Sequence, residues 1–180
     1  MEYFSCDKYT LGLRELKNDL IYSKIPSDLY KELIDFAWET GCKKAKDCII
    51  ESNTTVPTDI VKKLNITVID MDNSFAAVEY RILSEYYSNS RKIVLYKNAI
   101  MNEILKWEDK VFFECKDYSI IREIFIAHEI FHHLECYEIG LTSKKKKIRT
   151  LKIGPLEITS GIRALSEIGA HGFTKTLLNL

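Results

Sequence analysis

Three of the four histidines in the chain lie in one short segment, which contains the pattern His-Glu-x-x-His at His128, Glu129 and His132. On an α-helix, side chains four positions apart lie on the same face, so both histidines can direct a ring nitrogen at one metal ion. Glu129 then lies beside that ion, where its carboxylate can accept a proton from water. The spacing predicts a hydrolytic zinc site with His128 and His132 as ligands and Glu129 as the catalytic base.

A catalytic zinc ion usually has three protein ligands and one open position, so a third ligand must come from elsewhere. Glu167 is the best candidate, because Gly169 and Ala170 follow it and would let its helix approach the first one closely. Glu135 is a rival by proximity, but it lies a further turn along the helix of His132, which places it poorly for the same ion. Weaker rivals are Glu157 and His171, and a glutamate on a solvated helix face is the alternative for Glu167.

Two further histidines lie close to this predicted centre. His171 follows Glu167 by four residues and shares its helical face, so it can orient a ligand through a hydrogen bond or face the substrate. An ordinary, partly buried histidine is the competing interpretation. His133 lies one residue off the ligand face, and we expect it to support the site indirectly or to be exposed.

The remaining pattern predicts an α+β fold, a small mixed β-sheet packed with the His-Glu-x-x-His helix and a C-terminal ligand helix. The helix with the motif is expected to be capped by Ser119 and ended by Gly140, and Lys144 to Arg149 is expected to form a solvated loop. The other predicted elements are helices over 28–50, 57–64, 98–107 and 162–178, and strands over 66–71, 78–87 and 92–96.

Length and composition favour one domain over 1–180, with a helical N-terminal part over 1–55 and a core over 56–180. Of the 180 residues, 46% are hydrophobic, which is enough for one compact core. Lys+Arg and Asp+Glu both number 26, so no net field favours direct nucleic-acid or membrane binding. Five cysteines without a Cys-x-x-Cys pair, and no export signal, predict reduced thiols in a cytoplasmic protein.

The order of these motifs resembles the ImmA/IrrE family of zinc metallopeptidases, a branch of the gluzincins, over about residues 55 to 180. The shared features begin with a short helix leading into a strand over Pro57 to Met71, and continue with the strand Lys92 to Tyr96 and the His-Glu-x-x-His motif. They end with Glu167-x-x-Ala170-x-x-Phe173-x-x-x-Leu177-Leu178, which is similar to the second motif of the family. The family often has Asn or Asp at the position of His171 and Ala at that of Thr174.

The resemblance implies a zincin-like fold and one Zn²⁺ per chain, held by His128, His132 and Glu167. It also implies hydrolysis of peptide bonds in an intracellular protein, with a helix-turn-helix repressor among the candidate substrates. Many relatives carry a helix-turn-helix domain of their own, but residues 1–55 contain no convincing motif of this kind, so we expect a stand-alone peptidase domain. The oligomeric state is left open by the sequence.

In the expected mechanism, zinc activates a water molecule, Glu129 takes its proton, and the proton is then returned to the leaving amine. Candidates to stabilise the oxyanion are Tyr86, Tyr87, Tyr96 and His171, and the strand Lys92 to Tyr96 could pair with an extended substrate. The main alternative is a non-catalytic regulatory or sensor protein that retains a zincin-like metal site. A metal-free helical domain is the remaining one, and the intact Glu129 favours the peptidase.

Overall fold

In the computed structural model, residues 6–72, 82–104 and 117–180 are described. They form a mixed α+β structure, which confirms the predicted fold class at that level. No helix among these residues is both long and apolar enough to span a membrane. The α-helices are α1 (Lys8–Asn18), α2 (Tyr30–Ser52), α3 (Pro57–Lys63), α4 (Lys97–Ile104), α5 (Tyr118–Leu134), α6 (Thr142–Lys145) and α7 (Ala164–Leu178). The strands are β1 (Thr67–Met71), β2 (Ser84–Tyr87), β3 (Lys92–Tyr96), β4 (Lys147–Ile153) and β5 (Leu156–Gly161).

The predicted helices and strands before the motif correspond to α2, α3, β1, β2, β3 and α4, with ends that differ by a few residues. A 3₁₀ turn over Ser27–Leu29 precedes α2, so the helix starts slightly later than expected. Part of the predicted strand over 78–87 and the end of the predicted helix over 98–107 lie outside the described residues.

The main sheet has the strand order β1-β3-β2, with β1 parallel and β2 antiparallel to β3. Ile93, Val94 and Leu95 of β3 are buried, as expected for a β-branched central strand. Because β3 is paired on both sides, the prediction that Lys92 to Tyr96 offers a free edge to substrate is wrong. In the described part of the chain β1 and β2 are the edge strands of this sheet, and β2 is the edge strand whose Ser84 contacts α5.

Helix α5 carries the His-Glu-x-x-His motif and is fixed at both ends. Its N-cap is Asp117, whose carboxylate accepts a hydrogen bond from the Ser119 backbone N–H at 2.8 Å. The predicted Ser119 cap is therefore wrong by two residues, because Ser119 lies within the first turn of α5 and its backbone N–H is one of the groups that need a cap. At its other end α5 continues as a π-helix over Glu135–Ile139, and the chain leaves it at Gly140 with φ of 73°.

The segment Lys144 to Arg149 is not a loop. Lys144 and Lys145 lie in α6, and β4 begins at Lys147 and pairs with β5 in an antiparallel hairpin. The lysine run obscures the alternation that starts there, in which Ile148 is buried between two exposed basic residues. This hairpin was not expected from the sequence.

Helices α2 and α7 approach each other through glycine. A Cβ atom on Gly41 would lie 1.9 Å from the backbone oxygen of Gly169, and one on Gly172 would lie 2.6 Å from that of Trp38. Ala37 of α2 is fully buried on the same side. The backbones are therefore in contact where side chains would otherwise hold the helices apart, and α7 is held firmly in position beside α5.

Gly41→Ala is expected to destabilise the protein, although alanine normally favours a helix over glycine by about 1 kcal/mol. The new methyl group would overlap the Gly169 carbonyl, and the shift of one helix should lower the free energy of unfolding by about 1–3 kcal/mol. Urea unfolding followed by circular dichroism measures this. The control is Lys43→Ala, an exposed position on α2, and a Gly41→Ala protein as stable as wild type would contradict the close contact.

Candidate metal centre

The structure brings His128, His132 and Glu167 together at one point between α5 and α7. The Nε2 atoms of the two histidines are 3.2 Å apart, and His128 Nε2 is 3.2 Å from Glu167 Oε2. His132 Nε2 is 3.7 Å from Glu167 Oε1. One ligand atom from each residue lies within 4.8 Å of the others, so the three residues can contact a single ion.

These separations suit a tetrahedral metal site. Two ligand atoms at about 2.1 Å from a tetrahedral zinc ion lie about 3.4 Å from each other. The three distances in the cluster fall on either side of this value. Two imidazole nitrogens and one carboxylate oxygen also match the ligand types of catalytic zinc sites. The donor set therefore fits a three-ligand zinc centre that leaves a fourth position open.

Helix packing explains how residues so far apart in sequence meet. His128 and His132 lie one turn apart on α5, and Phe131 between them reaches across to α7. Its ring fills the space above Gly169, where an added Cβ would lie 2.6 Å from the ring, and its centroid is 5.8 Å from that of Phe173. This apolar contact sets the spacing at which the Glu167 carboxylate faces both imidazoles.

The charges of the cluster reinforce one another. Burial raises the pKa of Glu167, but the hydrogen bond from His128 and the charges of the neighbouring histidines outweigh this and lower the pKa to about 2. Burial lowers the pKa of His132, whereas the hydrogen bond to Glu135 and the nearby carboxylates raise it to about 9. Both shifts arise from attraction between the carboxylates and the imidazoles, which lowers the pKa of the acid and raises that of the histidine.

Glu135 does not join the ligand cluster but supports it. Its Oε2 lies 3.1 Å from His132 Nδ1, while its Oε1 accepts hydrogen bonds from the Thr142 backbone N–H at 2.7 Å and the Ser166 hydroxyl at 2.9 Å. A carboxylate at Nδ1 fixes the imidazole tautomer, so that the Nε2 lone pair is available to a metal. Because Ser166 precedes Glu167 on α7, this buried carboxylate also ties the two ligand-bearing helices together.

His171 contacts His128, one member of the cluster. Its ring packs edge-on against His128 with a centroid distance of 5.5 Å, and its Nε2 is 3.3 Å from Glu15 Oε1 on α1. Burial lowers the pKa of His171 despite this carboxylate. The contact with His128 is a ring contact and the hydrogen bond goes to Glu15, so a hydrogen bond from His171 to a metal ligand stays a prediction. His171 does not line the clefts described below.

Glu129 is buried and is held by the sheet. Its Oε1 accepts a hydrogen bond of 2.6 Å from the Ser84 hydroxyl on β2, and only 3% of the residue is exposed. It lies on the same turn of α5 as His128 and His132. Its second carboxylate oxygen has no protein donor among the described residues. A carboxylate with one oxygen fixed and the other available is suitably arranged for proton transfer.

The remaining predicted site residues separate into two groups. Tyr86 shares a face of β2 with Ser84, and its hydroxyl oxygen lies 2.6 Å from Nδ1 of His133. His133 is buried. Burial raises the pKa of Tyr86 to about 12, so its phenol keeps its proton. Tyr87 and Tyr96 instead donate hydrogen bonds to Glu85. The rival ligand Glu157 is on the β4–β5 hairpin, where it pairs with Arg149 at 2.9 Å.

A cleft of about 360 Å³ opens beside the cluster and is bordered by His132 and Glu167. Its other walls come from β2 and the turn that follows it, from the π-helix, from α6 and from the start of α7. Tyr86 is therefore the predicted oxyanion-stabilising residue that the structure brings to this cleft. A second cleft of about 500 Å³ adjoins it and shares Ser88, Glu135, Cys136 and Leu141.

No protein-family model matches this chain, and no curated protein or solved structure matches it either.

Sequence analysis did not identify Glu15, Ser84 or Ser166 as contributors to the centre. Each is a common residue type in an amphipathic helix or a short strand, and nothing in its local pattern marks it. Their roles depend on contacts across the fold, between residues that are 31 to 156 positions apart. For Glu135 the sequence does contain a signal, because it follows His132 by three residues. That spacing allows a hydrogen bond on one helix face, whereas the sequence analysis considers Glu135 as a rival ligand.

Glu135→Gln is expected to weaken zinc binding by about 10–100-fold, because the amide holds the His132 tautomer less strongly than a carboxylate does. Competition with a chromophoric chelator measures the affinity. Glu157→Gln on the exposed hairpin is the matched control and should bind zinc like wild type. Equal affinities for all three proteins would show that Glu135 does not support the ligand.

Proposed function

We propose that this protein is a zinc-dependent metallopeptidase that hydrolyses peptide bonds. The observation that carries the proposal is the convergence of His128, His132 and Glu167 at tetrahedral ligand spacing, with Glu129 beside them in a buried, oriented position. A purely structural zinc site would close its fourth position with a further ligand and would have no use for a free carboxylate at that point. This feature favours catalysis over the regulatory alternative.

A zinc ion held by these three residues would supply Lewis acidity, which lowers the pKa of water towards 7 and polarises a carbonyl group. The protein supplies the proton transfers. Glu129, steadied by Ser84, takes a proton from the attacking water and delivers it to the amine of the leaving peptide. Glu135 holds His132 in the tautomer that leaves Nε2 free throughout.

The remaining parts of the site assign positions to the substrate. Tyr86 borders the cleft with a protonated phenol, and it is our candidate for the donor that stabilises the developing oxyanion. The edge of β2, which includes Ser84 and Tyr86, can pair with an extended peptide beside α5. A single short strand would thus orient the base, the oxyanion donor and the substrate backbone.

We further propose that the fold is zincin-like and that the chain is related to the ImmA/IrrE metallopeptidases. The two motif helices α5 and α7, packed beside a small mixed sheet, are the arrangement that the resemblance implies. By the same resemblance the substrate would be an intracellular protein, with a helix-turn-helix repressor as one candidate, and the setting would be cytoplasmic.

Glu129→Gln should bind one zinc ion per chain and lose at least about 100-fold of its peptidase activity, because the general base is removed while the ligands remain. His132→Ala should lose both zinc and activity. Cleavage of a random-sequence peptide pool, followed by mass spectrometry, measures turnover.

Glu39→Gln, an exposed position on α2, is the control for that experiment and should retain wild-type activity. Undiminished cleavage by Glu129→Gln would contradict the mechanism. A zinc-loaded wild type that cleaves none of the pool would favour a regulatory or sensor protein instead.

Glu167→Ala is expected to contain much less zinc than wild type, in which we expect about one ion per chain, because a catalytic site depends on three protein ligands. Metal content by mass spectrometry on both purified proteins measures this and also identifies the resident metal, since the same ligands accept other divalent ions. Circular dichroism must show that both are folded. A folded wild type that takes up no metal when zinc is supplied would leave the histidines as core residues.

A further inference from the structure

The cleft beside the metal centre contains a guanidinium group that the proposed mechanism does not use. Arg163 lines the cleft together with His132 and Glu167, and it is exposed. Among the described residues its side chain forms no ion pair. An arginine in this position, beside the proposed metal site, is suited to bind an anionic group. Its planar guanidinium matches the two oxygens of a carboxylate.

The backbone at Arg163 is held in place by its neighbours and by hydrogen bonds. Its neighbours Ile162 and Ala164 are buried, and the Ala164 N–H donates a 2.8 Å hydrogen bond to the Asp19 carboxylate. The carbonyl of Arg163 accepts a hydrogen bond from the Ser166 N–H at 3.0 Å. These contacts fix the start of α7, from which the Arg163 side chain projects towards the cleft.

The carboxylates that border this cleft are already engaged. Glu135 accepts hydrogen bonds through both oxygens, and Glu167 faces His128 and His132 with both of its own. Their charge is directed at the histidines, and neither forms an ion pair with Arg163. Among the described residues, Arg163 is therefore the charged group on the wall of this cleft that has no protein partner.

The distance along α7 between Arg163 and Glu167 determines how far from the cleaved bond an anionic group of the substrate would lie. Arg163 precedes Glu167 by four residues, which is about 6 Å along the axis of α7. An extended peptide advances about 3.3–3.6 Å per residue, so a carboxylate one or two residues from the scissile bond would come within reach of the guanidinium.

We propose that Arg163 forms a carboxylate-binding subsite, and that the protein prefers substrates with a carboxylate within two residues of the bond that is cleaved. This inference rests on the proposed peptidase function and adds a substrate class to it. The carboxylate can belong to an acidic side chain or to the end of the peptide chain, and the latter would make the enzyme a carboxypeptidase. The chemistry of recognition is the same in both cases.

The test uses peptide hydroxamates, whose chelating group binds zinc and whose affinity is measured by calorimetry without turnover. Each compound has Leu next to the hydroxamate and a residue X after Leu. Two series are made, one for each direction in which the peptide chain can run from the hydroxamate. In both series X is either Glu or Gln with no free terminal carboxylate. In the series whose chain direction leaves a C-terminal end, a third compound has Gln with a free terminal carboxylate. At least one carboxylate compound should bind the zinc-loaded wild type about 10-fold more tightly than its Gln amide counterpart.

The variants assign that preference to Arg163. Arg163→Ala should remove it without changing the affinity for the Gln amide compounds, and Arg163→Lys should restore part of it, since lysine keeps the charge but not the fork. Lys43→Ala removes one positive charge from α2, outside both clefts, and should keep the full preference. A preference for the Glu compound assigns the side-chain source, and one for the free terminus assigns the carboxypeptidase source.

Equal affinities for all compounds in wild type would overturn the subsite and leave the peptidase proposal intact. A preference that persists in Arg163→Ala would also overturn it. If no hydroxamate binds the zinc-loaded protein, the open coordination position is absent, and the proposed function is overturned together with the subsite.

Discussion

The packing of α5 against α7 is the contact on which the rest of the centre depends. Neither helix carries all three residues of the cluster His128, His132 and Glu167, and the two helices are brought together by an aromatic ring that packs on a glycine. Helix α7, like α2, contributes residues to two apolar clusters. One cluster contains α5 and the main sheet, whereas the other contains α1, α2 and the base of the hairpin. The position of Glu167 is therefore determined by both cores at once.

Buried polar groups add direction to this apolar frame. Hydrophobic packing fixes how close the helices are, but it does not determine how an imidazole ring turns. Two carboxylates from outside the ligand set perform that task, Glu135 at His132 and Glu15 at His171. Each lies in a site where an unpaired charge would be costly, so each is satisfied by hydrogen bonds. The centre thus has an apolar frame that sets distance and a polar shell that sets orientation.

Sequence reasoning succeeded where a local pattern carries the information and failed where contacts across the fold carry it. The spacing of His128 and His132 and the motif around Glu167 were sufficient to nominate three residues that the structure then places together. Helices with clear periodicity were located to within a few residues. The β4–β5 hairpin was missed because a lysine run conceals its alternation, and the free strand edge was assigned to β3 because sequence alone does not give strand order.

The contact between Glu15 and His171 affects how short a fragment of this chain could be and still form the cluster. The motifs all lie after residue 55, and from them one would excise a fragment that starts there. Such a fragment would lack the partner of His171, and it would expose the glycine face of α7 that α2 now covers. The clustered side chains lie in the later part of the chain, but their scaffold does not, and an engineer who wished to transplant the cluster would have to transplant α1 and α2 with it.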